Sequence, residues 1–247
     1  MPRGYFAASI IMVCGAENIS VQMNQQSLSA HGGLQVEQFS GRQDRGTRAH
    51  TERVRTIARC IAERMGLSDE ELAAIEIGAL LHDVGKIGVT DAILRKPGPL
   101  EREEYEQIRE HPAKGRHLLG SIACLEGAIP CVLHHHERFD GLGYPARLAG
   151  RDIPLPVRII SVADAFDAMT SDRPYRRPMP VRAALGELRR GAGRQFDPEV
   201  VQAFLWVWRR GRLAGLLERE AQPPRGSALA PLRGLVDSPH QVAHEIA

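Results

Sequence analysis

The sequence predicts an all-α fold, a helical bundle with a metal centre between its helices. From His50 onward helical signals follow one another, and no alternating run is long enough to argue for a sheet. The residues best suited to bind a metal recur at the ends of separate predicted helices, so the bundle can gather them in one place.

Taken in order, Ser68 and Glu71 have the spacing of a capping box. Leu72, Ile75, Ala79 and Leu80 then form one apolar face until Gly85 ends or loosens the helix, which leaves His82 and Asp83 in its last turn. Lys96, Pro97, Gly98 and Pro99 read as a turn. Residues 101–111 read as a helix with Tyr105 and Ile108 inward, closed by Pro112, with His111 at its end. A third apolar segment, through Ile122, Ala128, Val132 and Leu133, delivers His134, His135 and His136 to a Gly/Pro loop at 140–145. A helix over 157–169 holds Asp164 and Asp167. Asp197 caps a helix over 200–208 with Pro198 in its first turn, and Phe196 and Val201 have staple spacing around that start.

Domain boundaries follow from composition. Residues 1–42 change character repeatedly and form a leader without a sustained period, 43–217 carry the helical domain, and 218–247 are a loose tail rich in Pro, Gly and Ala. The apolar stretch 6–14 follows Arg3 but is too short to span a bilayer, and no convincing cleavage site follows it. It reads as the remnant of a helix or of an upstream sensory domain.

The 247 residues, 43% of them hydrophobic, suffice for a real core. A formal net charge of +2 gives no bulk reason to bind a nucleic-acid polymer or a membrane surface. Cys14, Cys60, Cys124 and Cys131 are far apart with no CxxC, as expected of thiols in a reducing cytoplasm. Among ten histidines, His50, His82, His111, His135 and His136 fall at predicted helix ends, joined by Asp83 and Asp164. Imidazoles with a few carboxylates suit divalent first-row metals, and a carboxylate next to a histidine can bridge two ions. Singly, each of these is more often a surface or satisfied residue; the joint pattern is what carries the reading.

Several motifs in fixed order make the chain resemble the HD-GYP family, a branch of the HD-domain phosphohydrolases, over roughly residues 43–205. They are HTERV at 50–54, LHDVGKIG at 81–88, ILRKPGPL at 93–100, HPAKG at 111–115, HHERFDGLGYP at 135–145, SVADAFDAMTSDRPYR at 161–176 and GRQFDP at 193–198. The resemblance implies a phosphodiesterase acting on cyclic di-GMP. It also implies metal ligation by His50, His82, Asp83, His111, His135, His136 and Asp164, with Asp83 bridging two ions, and iron or manganese as the metal. Some members place a glutamate four residues before the first histidine for a third ion. Here that position is Gly46, which predicts two metals.

Lys86, four residues after His82, should face the metals and act with Asp83 in catalysis by neutralising charge on the phosphate. Arg173 and Arg176 are implied ligand-binding residues, since a guanidinium fork can grip phosphate or a guanine edge. Asp167 is a further substrate-side candidate, and Tyr144 is placed to pack on a base or ribose. Two other readings stand beside this one: an HD-type phosphohydrolase of another nucleotide, and a silent cyclic di-GMP receptor. Such a silent module would either bind cyclic di-GMP or dock on a diguanylate cyclase through the loop at 140–145.

Overall fold

A computed structural model describes residues 9–15, 18–24, 45–172, 177–213 and 215–216. The chain divides into two compact units, Met1–Ala49 and His50–Ala247. In the first, strands β1 (Ser9–Gly15) and β2 (Asn18–Asn24) pair antiparallel from Ser9 with Asn24 to Gly15 with Asn18. Of the apolar stretch 6–14, read from sequence as the remnant of a helix or of an upstream sensory domain, the described residues from Ser9 on form a strand, not a helix. Its Ile-Ile-Met-Val run has the β-branched content that suits extended backbone, and it pairs with Met23, Gln22, Val21 and Ser20 of β2. The tail after 216 lies outside the described residues.

From Arg45 the described chain is helical, as predicted: α1 (Arg45–Met65), which begins before the second unit, and then α2 (Asp69–Leu81), α3 (Asp91–Leu94), α4 (Arg102–Arg109), α5 (His111–Leu119), α6 (Ile129–His134), α7 (Leu155–Thr170), α8 (Val181–Gly191) and α9 (Pro198–Arg209). Short 3-10 turns occupy Val84–Gly88, Ala123–Ala128 and Gly150–Asp152. Among the described residues from Arg45 on, the only strand-like pairing is a single bridge between Ala192 and Phe196.

Helix α7 is the axis of the core. Val157, Ile159, Ile160, Val162, Ala163, Ala165 and Phe166 are all buried, and α7 packs against α2, α6, α8 and α9. Apolar residues on every side are what a central helix requires. Phe166 meets Phe204 of α9 at 4.7 Å between ring centroids and Trp208 at 5.5 Å. Helix α1 adds Val54, Ile57, Ala58 and Ile61, a single stripe at helical spacing.

Local signals explain most boundaries. Ser68 and Glu71 form both bonds of the capping box that opens α2. Asp197 accepts from the Glu199 amide at 2.7 Å and caps α9, while Phe196 and Val201 are both buried in the core beside that start. Pro112 behaves differently from expectation. It does not close a helix but sits in the first turn of α5, where its missing amide hydrogen costs nothing, because first-turn amides have no intrahelical acceptor. His111 thus begins a helix instead of ending one. Helix α8 gave little warning, since it buries only Ala184 and Leu188.

Asp197 is also paired with Arg158, which donates to the Ile153 carbonyl at 2.8 Å, and both side chains are largely buried. Asp197→Ala removes the α9 cap and strands the guanidinium. We expect a loss of about 3 kcal/mol, measured as a lower urea midpoint at unchanged slope.

Candidate metal centre

Three imidazoles are fixed by the backbone turn that precedes them. His82 Nδ1 lies 2.8 Å from the Ala79 carbonyl oxygen, His111 Nδ1 2.7 Å from that of Ile108, and His135 Nδ1 3.0 Å from that of Val132. A carbonyl only accepts, so each Nδ1 is the protonated nitrogen and each Nε2 of the neutral ring carries a lone pair. Those lone pairs converge on Asp83. His111 and His135 Nε2 lie 3.3 and 3.7 Å from its Oδ1, and His82 Nε2 lies 3.5 Å from its Oδ2.

The fourth anchor is a carboxylate. His50 Nδ1 donates to Asp167 Oδ2 at 2.6 Å, which turns His50 Nε2 toward Asp164 Oδ1 at 3.4 Å. Asp167 is itself held by Arg53 through bonds of 2.5 and 3.1 Å, and the same guanidinium donates to Ser171 Oγ at 2.8 Å. Asp167 is buried among these partners. Its observed role is to orient a histidine.

Two donor sets result, Asp83 with His111, His135 and His136, and Asp83 with His50 and His82; within each, one ligand atom per residue lies within 4.8 Å of the others. Asp83 belongs to both. The chemistry of these donors fits divalent cations. His111 and His135 Nε2 face each other at 3.1 Å, and His82 Nε2 is buried without a hydrogen-bond partner, an arrangement of lone pairs that a positive charge between them satisfies.

Electrostatics point the same way. Burial alone would raise the Asp83 carboxyl, but Lys86, His82, His111 and His135 hold it well below the usual carboxylate range. Burial, together with the neighbouring imidazoles, pushes His135 and His136 well below the ordinary histidine value and keeps them neutral. For His50 burial acts downward, yet the bond to Asp167 and the charges of Asp164, Asp167 and Asp83 raise it overall.

Lys86 rides on the 3-10 turn that continues past Gly85, and its Nζ lies 2.7 Å from Asp83 Oδ2. Gly85 is required there, because a Cβ would overlap the His111 carbonyl oxygen where the turn crosses α5. Tyr144 does not offer a face to a base or ribose as expected. Its ring is buried, with His136 stacked on it at 4.7 Å and 18° and the Arg109 guanidinium over it at 4.6 Å. Arg173 and Arg176 lie outside the described residues.

Glu137 is a residue that sequence reasoning missed. Buried beside His136, it accepts from the amides of Ala146 at 2.7 Å and Leu148 at 3.0 Å, so it clamps the Gly/Pro loop. The one available signal was an acidic residue set between metal-type ligands and a loop whose amides need acceptors. Gly143 lets the loop pass against the backbone of His136 and Arg138, where a Cβ would clash.

The model of the HD domain family matches residues 35–200, and the chain belongs to that family. Within it, the chain carries the ordered HD-GYP motifs. A protein of Thermotoga maritima named cyclic di-GMP phosphodiesterase is 45% identical over 66% of this chain and 45% of its own length. The 3'3'-cGAMP-specific phosphodiesterase 3 of Vibrio cholerae is 38% identical over 64% of this chain and 34% of its own. The chain thus spans less than half the length of these curated relatives. Among solved structures, Bd1817, an HDG"Y"P protein from Bdellovibrio bacteriovorus, superposes with a TM-score of 0.54 at 20% identity, covering 65% of this chain and 51% of that one, and supports the fold. Among the described residues no helix is long and apolar enough to cross a membrane.

Glu137→Ala deletes the acceptor of two loop amides. The expected cost is about 2 kcal/mol, together with faster hydrogen exchange at Ala146 and Leu148 than elsewhere in the unit.

Proposed function

We propose that the chain is a metal-dependent phosphodiesterase that hydrolyses cyclic di-GMP to linear pGpG, GMP or both. The observation that carries this reading is the sharing of Asp83 by two His/Asp donor sets with an ammonium beside it. In this reading His111, His135 and His136 would hold one ion, His50, His82 and Asp164 another, and Asp83 would be shared by both, with iron or manganese as the metal. When bound, two such ions would supply an acidified water and neutralise phosphate charge.

The chain's own residues supply the remainder. The carbonyl and carboxylate bonds to Nδ1 of His82, His111, His135 and His50 fix which nitrogen each histidine presents. Lys86 holds Asp83 at one oxygen while its half-exposed ammonium remains on the accessible side, where it can stabilise charge developing on the phosphate. Arg173 and Arg176 grip phosphate or a guanine edge. The loop at 140–145 offers a surface for a diguanylate cyclase partner. Free thiols at Cys60, Cys124 and Cys131 go with action in the cytoplasm.

A second reading, hydrolysis of a different cyclic dinucleotide, draws on the cGAMP-specific relative. The test is elemental analysis of anaerobically purified protein, paired with chromatography of cyclic di-GMP and 3'3'-cGAMP incubated with that same sample. We expect about two iron or manganese ions per chain and a linear product from cyclic di-GMP. Two ions with intact cyclic di-GMP would reject the proposed substrate. Asp83→Ala should lose turnover by more than about a hundredfold and much of the metal. Lys86→Ala should keep the metal and lose about a hundredfold in kcat.

A further inference from the structure

Of the five histidines in the site, His136 is the one without a hydrogen-bonded anchor. His82, His111 and His135 donate Nδ1 to backbone carbonyls and His50 to Asp167, but among the described residues neither ring nitrogen of His136 meets a hydrogen-bond partner. Without an anchor an imidazole has two free side-chain torsions, and both tautomers and both ring flips compete for the ligating position. His136 is instead held by surfaces. Tyr144 stacks on it nearly parallel, and His135 and His111 lie at 4.1 and 5.0 Å between ring centroids.

Tyr144 is in turn fixed by two independent devices. The glycine-rich loop that carries it is clamped through Glu137, and the Tyr144 amide donates to the His136 carbonyl at 3.2 Å. Arg109, at the last position of α4, lays its guanidinium over the phenol ring. Arg109 has a buried Nε with no hydrogen-bond partner; another of its guanidinium nitrogens bonds Glu106 at 3.3 and 3.4 Å, and its guanidinium carbon lies 4.6 Å from the Tyr144 ring centroid and 5.9 Å from that of Tyr105. It stands two residues before His111, whose anchor is the Ile108 carbonyl. The α4–α5 junction therefore serves two ligands at once.

We propose that Tyr144 and Arg109 are positioning residues for His136, and that the face of the phenol, covered by the guanidinium, does for this histidine what a carbonyl or carboxylate does for the other four. The inference rests on His136 being a metal ligand, the reading given above. It assigns the tyrosine of the loop to the metal centre and removes it from the substrate surface.

The test compares Tyr144→Phe, which keeps the face, with Tyr144→Leu, which removes it, and adds Arg109→Met. Mn2+ affinity is measured by competition with a chromophoric chelator, and the His136 ring-proton shifts by NMR in metal-free protein. Tyr144→Phe should stay within about twofold of wild-type affinity and keep the upfield ring-current shift. Tyr144→Leu should lose the shift and about tenfold or more in affinity at one site. Arg109→Met should weaken that same site about threefold. Wild-type affinity and an unmoved His136 signal in Tyr144→Leu would overturn the proposal, as would equal losses in Tyr144→Phe and Tyr144→Leu, which would make the hydroxyl the active group. Should Tyr144→Leu fail to fold, Arg109→Met with unchanged affinity and unchanged His136 shifts overturns it alone. A wild-type protein that binds no Mn2+ defeats the metal reading, while the ring-current comparison still decides whether Tyr144 holds His136.

Discussion

The site depends on one repeated interaction, the bond from a histidine Nδ1 to a carbonyl near the end of a helix. The last carbonyls of a helix have no amide to accept from. Ala79, Ile108 and Val132 lie toward the ends of α2, α4 and α6, and the histidine three residues further on bonds the carbonyl of each, that of Ile108 alongside the Glu110 amide. One bond thus satisfies a backbone acceptor, fixes a tautomer and aims a lone pair. Helix ends of this polarity also carry partial negative charge, so three of them gathered around Asp83 favour a cation before any side chain is counted.

The remaining part of the centre comes from packing between α1 and α7. His50 and Arg53 are one turn apart on α1, as are Asp164 and Asp167 on α7, so a single register between the two helices sets every contact among them. Val54, Ile57, Ala58 and Ile61 of α1 and the buried run of α7 belong to the same core cluster. A core substitution that shifted either helix along its axis would therefore move a metal ligand as well.

Much of this was legible in the sequence, for reasons that differ by residue. The capping box at Ser68 and the Asp197 cap are local patterns and appear where the pattern places them. The positions of Lys86 and the histidines follow from helical spacing and from the family motifs. What escaped were contacts between distant residues. Asp167 to Arg53 spans 114 positions and Tyr144 to Arg109 spans the whole of α5 and α6, and no periodicity encodes which residue faces which. Helix α8 was missed because two buried residues make too faint a stripe, and the N-terminal strands because the shifts of composition over 1–42 were weighed above the alternation of Ile19, Val21 and Met23. Pro112 was misplaced because proline both ends and begins helices.

The loop after His136 is tied at every level. Glu137 takes two of its amides, Asp140 takes the Leu142 amide at 3.1 Å, and the Phe139 and Asp140 amides reach the carbonyls of Gln195 and Arg194 at 3.1 and 2.7 Å. Between its two clamped neighbours, Arg147 is driven to φ 56°, a left-handed conformation that a free arginine rarely adopts. Leu142, 78% exposed, is carried at the tip of this frame. A molecule that meets the loop meets a preorganised shape, so association loses little entropy to ordering it. Recognition there should resemble rigid docking, in which selectivity comes from fit around Leu142 and from the charge of Arg147, and not from a loop that reshapes itself to each visitor.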